Sequence, residues 1–582
     1  MNKVEIKSID FDNLTVIRNT YDRIDATGVN HGRAIYFDSK KNLYYKIFHK
    51  DYVRGENFEK ALSIGFFEGM TPALESVIYD DNIVVGYVSM GGKILSDSEF
   101  DIDLIPDGFT EKLLDKIKET KMFFYDFVPS NIIRLDDGQL SLIDLESVYD
   151  MNDLFEIHKH NAKVKPDFLY DEIYSEWRKQ MKPISFIQPS RNNLKYLKWS
   201  YNSIRKNLGY VHEICMADDF SNDGTWEWMQ EISKKDPNVK IHRNEGPTRL
   251  GHTILYDTLI NDYATNDIVM IYHADMYACP GLDEEINKYI EPGVVVSATR
   301  IEPPLHPPGP EKLIKDYGIE PEEFDEFDLL SKVRNYKKQY EGKTTEGIFA
   351  PWAIYKSDFQ SIGGHDELFA PQSKEDSDLF NRFQLNGYKF IQTWNGFVYH
   401  MTCRGSRFAD GAKRNPNGEV FMKNRETDEW LQQNERSTRN FIRKWGHMVR
   451  HNEYLKPIIS PKYNIGFVVN NISQNLWELL EPWCSIIYGN WGWKSYIESE
   501  QPNTSYDLYE RVKPLDSEKN NDILVEFDGV QFGTQQQFQF LQQLPQILNE
   551  SGEIGEMEYD IFKITINSLE TYEKDLICCN SL

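Results

Sequence analysis

Short apolar runs, each closed by a polar turn, recur between residues 184 and 400. ISFIQPS, EICMADD, DIVMIY and GIFAPWAIY read as buried strands. LKYLKWSYNSIRK and TWEWMQEI lie between the first of them and spread their apolar residues at helical spacing. This β-α-β alternation predicts an open α/β sheet over residues 182–455. A Pro-rich stretch, IEPPLHPPGPEK at 301–312, interrupts it. It is expected to be an ordered or lid-like surface loop, because strand-like sequence resumes at GIFAPWAIY.

The pattern changes character on either side. Residues 1–178 alternate short strands and helices in an α+β manner and end in a polar helix, FLYDEIYSEWRKQ. KPIISPK, near residues 456–462, precedes a last small α/β unit, 456–582. Its strands are YNIGFVVN, DILVEFDG and EYDIFKITINS, with TQQQFQFLQQLPQILNES as a helix. Asn470, Asn471 and Asp528 sit at strand ends there without forming a catalytic set.

Composition narrows the class. A chain of 582 residues with 40% hydrophobic and 13% aromatic content can bury several cores. A formal net charge of -27 disfavours general affinity for nucleic acid or anionic membrane. No apolar run is long enough to span a bilayer. The N-terminus MNKVEIKSIDFDNL has no apolar signal segment. Cys215, Cys279, Cys403, Cys484, Cys578 and Cys579 fit neither a zinc spacing nor a disulfide framework, so a cytoplasmic chain is expected. Oligomeric state is left open.

Candidate chemistry collects at predicted strand ends. MIYHADMYACPG, residues 270–281, leaves a buried strand with His273 and Asp275 two residues apart. Residues at that spacing on an extended chain share a face, so imidazole and carboxylate could converge on one ion. Asp218 and Asp219 close an earlier strand, where open α/β sheets bind ligands. Arg249 and Gly251 stand at a helix start that suits an anion. Glu375, Asp376 and Asp378 open another helix, and His400 ends a strand before Arg404 and Arg407.

In order, PSRNN, ADDFSNDGT, NEGxxRxG, HAD, GGHDExF and EDSDL resemble the inverting family 2 glycosyltransferases of GT-A fold over residues 183–405. The resemblance implies a metal-dependent transfer of sugar from a nucleoside diphosphate donor, such as a UDP- or GDP-sugar, to a glycan or small-molecule acceptor. Pro189, Ser190 and Arg191 would line the nucleotide, and Asp218 or Asp219 would contact the base. Arg249 and His273 would complete the donor site. Asp275 would hold Mn²⁺ or Mg²⁺, with His400 as an additional ligand. Asp376 would be the base and Glu375 would orient the acceptor, after the Gly363-Gly364 loop. The chain departs from the family at His273, where a first Asp is usual. That substitution keeps open a non-catalytic nucleotide- or glycan-binding role.

A second resemblance, over residues 20–160, is to the kinase-like fold in its small-molecule phosphotransferase branch. Lys46 in LYYKIF would hold ATP phosphates and pair with Glu56 or Glu59. Asp126 would be the base, and Asn131 and Asp144 would hold Mg²⁺. Tyr125 replaces the usual His, Gly28 and Gly32 are the only loop glycines, and little chain remains for a C-terminal lobe. An active compact kinase, a nucleotide-binding pseudokinase and a structural remnant all stay open.

Overall fold

The computed structural model describes residues 181–404 and 411–578 continuously, and shorter segments between residues 2 and 150. The chain divides into two compact units, Met1–Gln180 and Met181–Leu582.

In the first unit a six-stranded sheet runs in the order Asn2–Lys3, Leu74–Tyr79, Ile83–Ser89, Leu43–His49, Arg33–Asp38, Thr15–Asn19. Lys46 lies in its strand Leu43–His49, opposite Ile35 and Gly86. A helix, Asp107–Thr120, comes after the sheet strands. The expected helix at 168–180 lies outside the described residues.

The second unit opens with β1 (Ile184–Ser190), β2 (Glu213–Asp219), β3 (Val239–Asn244), β4 (Ile268–Ile271) and β5 (Met276–Ala278). β6 (Val294–Glu302), β7 (Lys312–Ile314), β8 (Thr344–Thr345), β9 (Trp352–Tyr355) and β10 (Lys389–His400) complete its first sheet. The order is β3-β2-β1-β4-β9-β6-β10-β5, with β7 on β6 and β8 on β10. β1 to β4 are parallel, and β9 runs antiparallel between β4 and β6. Every residue of β1, β2 and β4 is buried, which is why these strands read as continuous apolar runs. Trp352 is fully buried and packs edge-on against Phe380 and Phe383 in the core.

The Pro-rich stretch is an ordered loop with Pro304, Pro307 and Pro308 exposed, set between two strands. It leaves β6 and returns as β7, which pairs in parallel with β6. Glu302, Glu311 and Lys312, at the two ends of the stretch, are buried.

Helices of this unit include α1 (Gly251–Thr258), α2 (Glu375–Leu385) and α3 (Asp428–Trp445). A second sheet comprises β11 (Ile465–Asn470), β12 (Ile486–Gly489), β13 (Val512–Pro514), β14 (Ile523–Asp528), β15 (Gly555–Tyr559) and β16 (Phe562–Ile566). Its order is β13-β12-β11-β14-β16-β15, parallel as far as β14. It has its own core around Phe467, Trp477, Ile487 and Leu544. α3 joins the two sheets. Its Arg443 bonds Glu481 at 2.8 Å and Glu500 at 2.7 Å, while Lys444 reaches Asp366 at 2.6 Å and Asp378 at 2.7 Å. No helix among the described residues is long and apolar enough to cross a membrane.

Candidate active site

β4 ends at Ile271, and the chain turns through His273 to Asp275 before β5. β5 then pairs antiparallel with the end of β10, which sets Met276 opposite His400. This register brings the His400 Nε2 within 3.3 Å of Asp275 Oδ1. One ligand atom each from His273, Asp275 and His400 lie within 4.8 Å of one another.

The surroundings tune these side chains. His400 Nδ1 lies 2.7 Å from Glu302 Oε1, so its proton is donated there and Nε2 faces Asp275. Glu302 lies 3.0 Å from Arg300 Nε and 3.0 Å from Lys312 Nζ. Burial favours its neutral form, but Arg300, His400 and Lys312 hold it well below the usual carboxylate range. Burial likewise opposes a charge on His400, yet Asp275 and Glu302 raise it to about 9. His273 is pushed down to about 3 by burial and by His400, so its imidazole is neutral and offers a lone pair. Two imidazoles and a carboxylate, with Glu302 orienting one of the rings, fit a divalent ion of the Mn²⁺ kind.

The cluster opens on a cavity of about 760 Å³. Pro189, Ser190 and Arg191, at the end of β1, form part of its wall, with Asp219 and Arg249 beside them. The Ser190 Oγ is buried and has no hydrogen-bond partner among the described residues. Asp219 accepts from Asn244 Nδ2 at 2.8 Å and from the Leu250 and Gly251 amides at 3.0 Å each. The anion that the leading amides of α1 hold is thus the Asp219 carboxylate. Gly251 is required there, because its φ is +75° and an added Cβ would lie 2.0 Å from the Pro371 carbonyl oxygen. Asp218 points away, accepts from the Ser221 amide at 3.2 Å and lies outside the cavity wall.

Glu375 and Asp376 open α2 on the opposite wall. Glu375 is buried and its Oε2 has no hydrogen-bond partner among the described residues. Asp376 faces the cavity with 44% of its side chain exposed. Desolvation and the neighbouring Asp376 push Glu375 up to about 7. Desolvation raises Asp376 too, against the pull of His365 and Arg300. The helix is anchored one turn on, where Asp378 meets Arg382 at 2.9 Å and accepts from Trp445 Nε1 at 2.9 Å. Arg382 also donates to the Ile362 and Gly364 carbonyls, which fixes the Gly363-Gly364 turn ahead of the carboxylates.

Several wall residues carry no signal in the sequence patterns. Glu302, His306 and Lys312 come from the Pro-rich stretch, His252 from α1 and Trp430 from α3. His365 and Asp257, hydrogen-bonded at 2.5 Å, lie behind Asp376. The HD pair within GGHDE is the available signal for His365; nothing local marks Asp257. Arg404 lines the cavity and contacts Glu320 at 3.5 Å. Arg407 lies outside the described residues, as do Glu56, Glu59, Asp126, Asn131 and Asp144, so of the phosphotransferase set only Lys46 is placed.

The sequence model of the family described as Glycosyl transferase family 2 matches residues 185–353. Among curated proteins, none matches the chain. Among solved structures, GalNAc-T7 with UDP, GalNAc and Mn²⁺ is similar at 16% identity and a TM-score of 0.29, over 38% of this chain and 44% of that one. The mannosyltransferase PcManGT from Pyrobaculum calidifontis, in complex with GDP-Man and Mn²⁺, is similar at 18% identity and a TM-score of 0.28, over 43% of this chain and 66% of that one. The chain thus spans less than two thirds of either structure. Residues 185–353 are thus similar in sequence to the family 2 glycosyl transferases, and the match ends before Glu375, Asp376 and His400.

Proposed function

We propose that the protein transfers a sugar from a nucleoside diphosphate donor to an acceptor hydroxyl, with inversion at the anomeric carbon. The observation that carries this reading is one cavity that holds the His273, Asp275 and His400 cluster together with the Glu375 and Asp376 pair, beside a family 2 domain.

In this reading Asp376 accepts the proton of the acceptor hydroxyl as its oxygen attacks the anomeric carbon from the face opposite the leaving diphosphate. Glu375, buried beside it, orients the acceptor by a hydrogen bond. Pro189, Ser190 and Arg191 flank the nucleotide, and the unsatisfied Ser190 hydroxyl is a ready partner for it. Asp219 faces the base and Arg249 stands by the anionic part of the donor. A divalent ion held by His273, Asp275 and His400 would offset the charge that develops on the diphosphate. Within the second unit, β11 to β16 form a sheet with a core of its own, which leaves residues 456–582 without a role in this reading.

Asp376→Asn tests the assignment. Transfer is expected to fall by at least about a hundredfold, within the range of general base catalysis, with donor binding retained. Turnover near the wild-type rate would remove Asp376 from the role.

A second, independent reading has the first unit as a phosphotransferase, with Lys46 of its strand Leu43–His49 at the ATP phosphates. That reading predicts ATP-dependent phosphate transfer that vanishes in Asp144→Ala, and a wild-type protein that transfers no phosphate from ATP would exclude it.

A further inference from the structure

Behind the cavity wall, His365 stands between two carboxylates. Asp257 reaches it from α1: its Oδ1 lies 2.5 Å from His365 Nδ1, and its Oδ2 accepts from the His365 backbone amide at 2.9 Å. The ring's other nitrogen, Nε2, is buried, has no hydrogen-bond partner among the described residues, and lies 4.0 Å from Asp376 Oδ1. We propose that Asp257 and His365 form a buried charged pair that keeps Asp376 ionised, making His365 a positioning residue for the base. The proposal rests on Asp376 being that base.

The backbone is shaped to hold this line of groups. Gly364 has φ +68°, and a Cβ there would lie 2.2 Å from Asp257 Oδ2. Any side chain at 364 would therefore displace Asp257. Arg382 holds the Ile362 and Gly364 carbonyls at 2.8 and 2.6 Å, so the turn that carries His365 is fixed on both sides. Tyr256 stacks on the imidazole at 5.8 Å and Phe359 meets it edge-on at 5.5 Å, which excludes water from its faces.

A neutral imidazole whose Nδ1 proton goes to Asp257 would turn a bare lone pair toward the Asp376 carboxylate. A protonated ring turns an N–H toward it instead and meets both carboxylates. The charged groups around it favour the second arrangement. Asp257 faces it from α1, and Glu375 and Asp376 face it from α2. Among the basic neighbours, His252 is held neutral by burial, while Arg300 acts on Asp376. Burial alone would lower the basicity of His365, and the carboxylates outweigh it, so the ring is raised above an ordinary histidine. Acting the other way, a cationic His365 favours the ionised form of Asp376, against the partial desolvation that raises it.

Because the coupling is reciprocal, it can be read from either partner. Full-length protein carrying ring-labelled histidine is titrated by NMR, with the His365 signal assigned by its loss in His365→Gln. The signal is expected to titrate above about 6.5, the ordinary histidine value, and to fall by a unit or more in Asp376→Asn and in Asp257→Asn. The acid limb of the pH–rate profile for sugar transfer should rise by the same amount in His365→Gln and Asp257→Asn, a tenfold loss of rate per unit below the limb. A purely structural role would lower the rate at every pH and leave the limb in place. A His365 signal that titrates at or below the ordinary value, or is unmoved in Asp376→Asn, overturns the proposal. Full transfer activity in Asp376→Asn would instead overturn the assignment of the base, a separate result.

Discussion

Glu302 meets the candidate ion site through the Nδ1 of His400, so changing it tests the effect of charge on the imidazole. Its Oε1 takes the Nδ1 proton of His400 at 2.7 Å, and its side chain is nearly fully buried. Glu302→Gln keeps the shape and an acceptor oxygen but removes the charge that makes the imidazole a better donor to an ion. Loss of a carboxylate that orients a metal-binding histidine weakens metal binding by about 10- to 100-fold, or about 1.4 to 2.7 kcal/mol. The substitution should leave the fold intact, because Arg300 and Lys312 retain Glu311 at 3.2 and 3.1 Å. That neighbour is also the control: Glu311→Gln disturbs the same two cations without touching His400. Free Mn²⁺ is followed by electron paramagnetic resonance during titration of the folded protein at constant pH. A large loss of affinity is expected in Glu302→Gln and little change in Glu311→Gln. Equal affinities in wild type and Glu302→Gln, or equal losses in the two variants, would refute the role given to Glu302.

Two further outcomes come from the buried charges. Glu375 is pushed up to about 7 and Asp376 is raised with it, so the pair takes up a proton as pH falls through about 7. Transfer, assayed from pH 5 to 9, should rise with pH through about 7; a rate that is flat down to pH 5 would deny the pair its role. Glu481 is fully buried between Arg443 and Arg511, which hold it down at about 2 against an ordinary value of 4.5. A depressed carboxylate stabilises the fold above its unfolded value and loses that stabilisation as pH falls toward about 2. Glu481→Gln should therefore cost on the order of 3 kcal/mol at pH 7 and much less near pH 3, read as a shift in the urea unfolding of the second unit. An equal cost at both pH values would show that packing, not charge, makes the contact.

What the sequence disclosed was local. β1, β2 and β4 are buried on both faces, so their apolar runs announced them, and the polar residues that end them announced a ligand edge. The HAD and ED motifs were legible because each places its own side chains within one turn. The rest depends on pairings far apart in the chain. His400 reaches Asp275 only through the register of β5 on β10. Glu302 enters because β6 pairs in parallel with β10, with Ile301 beside Tyr399, which sets Glu302 next to His400. Asp257 meets His365 across 108 positions, which no periodicity encodes. Asp218 and Asp219 looked equivalent in sequence, and the strand's alternation separated them: one caps α1 at the cavity, the other turns away. Trp430 and Lys444 come from α3, beyond every motif that pointed to the site.

The most direct test of a metal-assisted donor site is calorimetric titration with uridine, guanosine, cytidine and thymidine diphosphate sugars, each with and without Mn²⁺. One nucleotide class is expected to bind, its binding is expected to depend on Mn²⁺, and Asp275→Asn should abolish the dependence. A folded protein that binds none of the four classes, or binds one equally well without Mn²⁺, would contradict the donor site.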